Sequence, residues 1–519
     1  MLTGKSFIGN SRGAGSDICG SGINPANGEK LSPDTIAATS QEVQYALNIA
    51  EEAFFVYRQK SGAEKATFLR AIATNIEARI EEIVARGPLE SGLPEGRMRG
   101  ETGRTTGQLR MFADLLDEGS WLDARIDTAQ PDRAPIPKVD LRSMLTGLGP
   151  VAVFCASNFP LAFSTAGGDT ASALAAGCPV VVVAHSAHPG LAEIVAEAIT
   201  EAANQTDMPE GVFSLLFSGG YSVGQTVVAA PEIKAVGFTG SLKGGRALMD
   251  IAAARPEPIP VFAEMSAINP VAILPSALGD NSESLATAAS GSLTLGVGQF
   301  CTNPGLFFIP SEGAEAFTEK FVELTKQVAP ATMLHGGICD SYKNGIYALN
   351  DQPNVETLLL VEHDQFGAAA PAIFRATTQE FVSNKVLSSE VFGPATLIVT
   401  YQDHDELLAL AEYIDGQLTT SIFGNETDDI AELISVLDRK SGRVIFNQFP
   451  TGVEVCPSMV HGGPYPATSD GRSTSVGTMA IFRYTRSVSY QNFPQLALPA
   501  ELQDQNPLGI KRLVNGKSE

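Results

Sequence analysis

The chain of 519 residues holds only six cysteines, and no two of them form a CxxC pair or a paired spacing. That absence argues against a disulfide scaffold or a zinc framework and leaves free thiols in a reducing compartment, with no resident metal expected. Basic residues are also scarce, 35 against 58 acidic ones, for a net charge of −23. Such a surface disfavours nucleic acid or an anionic membrane as partner, although a local pocket can still hold a small anion. No window approaches a membrane span, and the N-terminal MLTGKSFIGNSRGAG lacks the apolar core of a secretory leader. Internal repeats and low-complexity tracts are missing too. The expectation is a cytoplasmic globular protein, because 44% of residues are hydrophobic and 18% charged. The length calls for two or three domains.

What is present begins with helices. TSQEVQYALNIAEEAFFVYRQ opens on a capping box at Thr39 and Glu42. ATFLRAIATNIEARIEEIVARG continues the helical spacing and is expected to stop at Gly87, with a third helix near Arg97–Asp117. Residues 125–148 are rich in proline and charge and read as a linker or an extended arm. Short apolar runs then alternate with helical stretches: Val151–Cys155, Val180–Ala184, Val212–Phe217 and Ala235–Phe238. Buried strand, helix, buried strand is the pattern of a doubly wound parallel sheet, with ligands at the carboxyl ends of its strands. A second α/β region follows Pro270, and the tail RYTRSVSYQNFPQLALP returns to extended texture.

Five places carry candidate chemistry. Cys301 sits in GVGQFCTNPG, among small and polar residues that suit a nucleophilic thiolate better than a packed core. Asn158 follows the strand VAVFC directly, where its amide can face an oxyanion or cap a helix after Pro160. Gly240, Ser241 and Gly245 in AVGFTGSLKGGRAL join a strand to a helix N-terminus that suits a phosphate, although GxGxxG is absent. Glu264 ends the strand before EMSAINP, where partial desolvation would raise its pKa toward that of a general base. Glu390 and Phe392 occupy a turn, EVFGP, before the strand ATLIVTY.

In this order SNFP, FTGS, EMSAINP, GQFCTNPG and EVFGP resemble the aldehyde dehydrogenase superfamily. The likeness spans nearly the whole chain. It is strongest to the branch acting on short keto-acid semialdehydes, through GRTTGQLRMFADLL, ARIDTAQPDR, LTLGVGQFCTNPG, FNQFPTGVEV, MVHGGPYPA and SVSYQNFP. The resemblance implies a dinucleotide-binding domain over 1–124 and 149–269, a catalytic domain over 270–482, and an oligomerisation arm from 125–148 and 483–519. It implies oxidation of an aldehyde to an acid with NADP or NAD. Cys301 would attack the carbonyl, Asn158 and the Cys301 N–H would hold the oxyanion, and Glu264 would activate water. Gly240, Ser241 and Gly245 would take the pyrophosphate, Glu390 and Phe392 the nicotinamide ribose, and His185 and Ser186 the adenosine side. The assembly would be a homodimer or homotetramer.

Two positions depart from the family pattern: Val183 stands where a lysine usually meets the adenosine ribose, and Ser266 where a glycine follows the glutamate. The substrate implied is α-ketoglutaric semialdehyde, with long-chain aldehydes or a catalytically weakened binding protein as alternatives. A keto-acid substrate needs a cationic anchor. Arg104, Arg110 and Arg472 are the candidates, with Phe159 on the wall.

Overall fold

A computed structural model describes all residues 1–519. The first helix, Ser40–Tyr57, starts on the capping box expected: Thr39 accepts from the Glu42 N–H while the Glu42 carboxylate accepts from the Thr39 N–H. The second stretch is two helices. Gly62–Ala78 ends at Arg79, and Ile80–Ser91 runs through Gly87 and Pro88 to a left-handed Gly92. The expected stop at Gly87 is therefore wrong. That glycine is a packing contact, where a Cβ would stand 2.4 Å from the Met98 sulfur. A long helix, Glu95–Glu118, follows and ends on left-handed Gly119.

The first sheet is seven-stranded, ordered Val261–Glu264, Ala235–Thr239, Val151–Phe154, Val180–Val183, Phe213–Leu216, Phe7–Ile8, Ser11–Arg12. Its first five strands in that order run parallel. VVVV at 180–183 is buried along its whole length, as expected of a strand covered on both faces. Strand order reverses between Val151–Phe154 and Ala235–Thr239, and their carboxyl ends flank a crevice.

A second seven-stranded sheet runs Glu356–Leu360, Ala372–Thr377, Ala395–Tyr401, Leu306–Pro310, Pro270–Ile273, Gln417–Phe423, Ser441–Phe446. It is parallel except at its first edge. The loops entering Leu306–Pro310 and Ala395–Tyr401 carry Cys301 and Glu390, so the amino edge of this sheet confronts the carboxyl edge of the first. The fold is α/β, built on two doubly wound sheets.

Residues 125–148 contain two strands. Arg125–Asp127 and Leu141–Gly147 pair with each other, and Thr485–Gln491 adds seven antiparallel pairs to the latter. Leu513–Val514 and Lys517–Ser518 complete a five-stranded sheet. Its outer strand, Thr485–Gln491, leaves one edge open. No helix is long and apolar enough to cross a membrane.

Candidate active site

Three strands and one strap assemble the site. Glu264 ends the edge strand Val261–Glu264 of the first sheet, and its side chain is buried. The strap 453–475 crosses that strand end: Met265 N–H donates to Ala467 O, and Ser469 N–H to Ala263 O. This pairing carries His461 and Ser475 into the interior. Ser475 Oγ donates to Glu264 Oε2 at 2.6 Å, and His461 Nε2 lies 2.9 Å from Oε1. The second contact is close but not aligned for a hydrogen bond. Cys301 enters from the other sheet, with its sulfur 3.3 Å from the same Nε2. Asn269 holds the Cys301 carbonyl at 2.8 Å, fixing the turn.

The charges follow from this packing. Burial, the largest single influence, lifts Glu264, but the neighbouring His461 imidazole, the Ser475 hydroxyl and Cys301 together outweigh it. The carboxyl therefore sits below its ordinary pKa, opposite to the rise expected from the sequence. Desolvation is the only influence visible in EMSAINP itself; the imidazole that counters it lies almost 200 residues further on. Burial pushes the Cys301 thiol well up, and the Glu264 charge pushes it further; Arg104 opposes both. A thiol so placed is neutral at rest and needs a base in contact with it. His461 is that contact.

Asn158 Nδ2 donates to Gln299 O at 3.3 Å, two residues before Cys301. It caps no helix, because turns follow it and the next helix, Gly168–Ala175, has no side-chain cap. Arg97 fixes this loop from the long helix. Its guanidinium lies over the rings of Phe159 and Phe300, at 4.4 and 4.8 Å, and pairs with Glu101. Glu101 in turn accepts the N–H groups of Leu161 and Ala162.

The three candidate anchors separate cleanly. Arg104 is largely enclosed against Phe159 and Phe163, its Nε and Nη2 have no partner, and burial lowers its pKa. It is near enough for its charge to bear on Cys301 and Glu264. Arg104, Gln108, Met111 and Val453–Val455 border a cavity of about 370 Å³. Arg110 is instead a surface residue paired in bidentate fashion with Glu77, and Arg472 has an 89% exposed side chain paired with Asp470. Both assignments are corrected: their charge is already matched and faces water. Two members of the site escaped sequence reasoning, His461 and Arg443. Arg443 bonds Pro450 O and Gly452 O, and its charge also bears on Cys301.

On the cofactor side, Ser241 caps the helix Leu242–Ala254 and accepts from Gly244 N–H, leaving the first N–H groups of that turn for a phosphate. A Cβ at Gly245 would stand 2.4 Å from the Met265 sulfur, so this glycine permits the helix to pack onto the strand end. Glu390 and Phe392 border a pocket with Phe300 and Asn303. Burial lifts Glu390 to about 7, against opposing hydrogen bonds from Ser266 Oγ and the Ala267 N–H. His185 is kept neutral by burial and by His188 and His335, with His188 stacked on it, while Ser186 is exposed. Val183 is buried among apolar residues and offers no donor. A free helix N-terminus and an enclosed carboxylate at the crevice fit a dinucleotide.

Taken together, two sheets with facing edges and a crevice that fits a dinucleotide define the class: a dinucleotide-dependent oxidoreductase. Residues 18–487 match the aldehyde dehydrogenase family, and the chain belongs to it. It is an NAD(P)-dependent aldehyde dehydrogenase. It is 48% identical to α-ketoglutaric semialdehyde dehydrogenase 2 of Azospirillum brasilense over 524 aligned residues, covering 100% of both chains. It is 47% identical to α-ketoglutaric semialdehyde dehydrogenase of Acinetobacter baylyi, covering 99% of this chain and 98% of that one. Among solved structures it superposes on 3,6-anhydro-L-galactose dehydrogenase with a TM-score of 0.80 at 20% identity, over 94% of this chain and 99% of that one. Betaine aldehyde dehydrogenase of Staphylococcus aureus, in complex with NAD+, gives 0.80 at 19% identity, over 96% and 98%.

Proposed function

We propose that the protein oxidises α-ketoglutaric semialdehyde to α-ketoglutarate, with Arg104 holding the distal carboxylate. The observation that carries the reading is an enclosed guanidinium with two unpartnered nitrogens whose charge reaches Cys301. An unpaired buried cation costs several kcal/mol, on the order of the loss when one partner of a buried pair is removed, so an anionic ligand there is strongly favoured. The substrate names of the two full-length relatives agree with it.

The steps follow from the contacts. Nε2 of His461 takes the Cys301 proton, and ionised Glu264 stabilises the imidazolium, in the manner of a nucleophile–base–carboxylate triad. The thiolate adds to the aldehyde carbonyl, and the Asn158 amide with the Cys301 N–H receives the oxyanion. A bound dinucleotide supplies the acceptor for the hydride lost as the thiohemiacetal becomes a thioester. The imidazolium releases its proton to solvent once the thioester has formed, and the Glu264–His461 pair then serves as base for the hydrolytic water, with Ser475 steering the carboxylate.

Residues 1–124 and 149–269 form the dinucleotide-binding domain in this reading, 270–482 the catalytic domain, and the remainder an arm. The open edge of Thr485–Gln491 and the fully exposed Leu496 support a homodimer or homotetramer built through that arm. A cytoplasmic setting suits six free thiols.

The test compares kcat/KM for the keto-acid semialdehyde with that for an uncharged aldehyde of equal length, in wild type and Arg104→Leu. The gap favours the semialdehyde and narrows in the variant, mostly through KM. More efficient turnover of decanal by wild type would overturn the assignment in favour of long-chain aldehydes.

A further inference from the structure

Glu264, His461 and Cys301 satisfy a demand that no step of aldehyde oxidation makes. One carboxylate oxygen, one imidazole nitrogen and one sulfur lie within 4.8 Å of one another. Tetrahedral zinc takes sulfur at ~2.3 Å and nitrogen or oxygen at ~2.0–2.2 Å, which leaves ligand atoms about 3.4–3.6 Å apart. The observed sulfur–nitrogen separation is 3.3 Å, and the nitrogen–oxygen one is 2.9 Å. The sulfur and the carboxylate oxygen lie within 4.8 Å of each other, so the carboxylate must swing from the imidazole toward the sulfur to complete the set.

The ligands are also prepared. His461 and Glu264 are enclosed, with 1% and 3% of their side chains exposed. Ser475 Oγ anchors the remaining carboxylate oxygen, which turns Oε1 toward the imidazole. Oε1 is in contact with Nε2 without hydrogen-bond alignment and has no other partner, while Nε2 already faces the Cys301 sulfur, so all three atoms turn toward one point. Cys301 closes one side and retains some exposure, so the fourth position opens toward the substrate approach. Three protein ligands and one open position is the pattern of a non-structural zinc site.

We propose that this trio is a binding site for a thiophilic divalent cation, Zn2+ foremost, held by Cys301 Sγ, His461 Nε2 and Glu264, and that its occupation silences the nucleophile. Binding breaks the Sγ–H bond, forms the sulfur–metal bond and releases one proton to solvent; no electrons change hands. Mixed sulfur, nitrogen and oxygen ligands select zinc or cadmium over magnesium and calcium, which require oxygen sets. The binding stands apart from the catalytic reading, and only the silencing rests on it.

The experiment adds Co2+ or Zn2+ alone to the full chain free of dinucleotide. One cobalt per chain is expected, with a near-ultraviolet thiolate-to-metal absorption that EDTA abolishes. Zinc protects Cys301 from alkylation, read on its own peptide by mass spectrometry, and turnover falls in the same proportion and returns with EDTA. Cys301→Ser and His461→Asn lose the cobalt band, Ser475→Ala weakens binding about tenfold, and Mg2+ gives no protection. Should a variant fail to fold, alkylation of the wild type decides. Inhibitory zinc that leaves Cys301 freely alkylated overturns the proposal, as does wild-type metal affinity in both folded ligand variants. A cobalt–thiolate band in a protein that oxidises no aldehyde would refute the catalytic reading and leave the metal site standing.

Discussion

Nε2 of His461 lies 3.3 Å from the Cys301 sulfur, across 160 residues of sequence. That contact gives the raised thiol a base, and it places the imidazole between nucleophile and carboxylate.

The first prediction follows directly. His461→Asn keeps the fold and dinucleotide affinity but lowers the pre-steady-state burst by about 10²–10⁴-fold, the usual worth of a positioned base. Stopped-flow measurement of reduced dinucleotide checks it. An unchanged burst would mean that some other group deprotonates Cys301.

Glu264→Gln separates the half-reactions. Because the carboxylate only supports the imidazole in acylation but acts on the water in deacylation, the steady-state rate falls further than the burst. Equal losses in both phases would assign Glu264 to acylation alone.

The anchors divide by surroundings. Arg110→Ala and Arg472→Ala leave kcat/KM for the semialdehyde within about twofold, since exposed ion pairs contribute ~0–1 kcal/mol. Comparable losses in these variants and in Arg104→Leu would place the carboxylate elsewhere.

Much of the fold was legible from the chain. VVVV at 180–183 reads as a two-sided buried strand, and Thr39 with Glu42 as a helix start, because both signals are local. Gly87 misled because a glycine that makes room for Met98 looks like one that ends a helix. In the site, Cys301, Glu264 and Asn158 stood out by their turns. His461 did not: MVHGGPYPA has no periodicity, and only strap pairing to the Glu264 strand brings it inward. The arginines were separable in principle. Arg97, Glu101, Arg104 and Gln108 share one face at helical spacing, whereas Arg110 lies six residues past Arg104 on another.

Glu390 supplies a pH test. Its folded pKa of about 7 lies above the ordinary carboxyl value of 4.5, so the folded state holds a proton that the unfolded state has released between those values. Stability from this group is therefore lost as pH rises through that window, and the full penalty is present above it. Urea unfolding of the dinucleotide-free protein should show Glu390→Gln gaining more over wild type at pH 8 than at pH 5. An equal difference at both pH values would refute the shift.

The most direct test of the account is to trap the acyl enzyme. Glu264→Gln is mixed with dinucleotide and α-ketoglutaric semialdehyde, quenched in acid, and digested for peptide mass spectrometry. The account predicts an α-ketoglutaryl thioester on the peptide containing Cys301, in amount equal to the burst. A full burst with Cys301 unmodified, or with the acyl group on another residue, would contradict it.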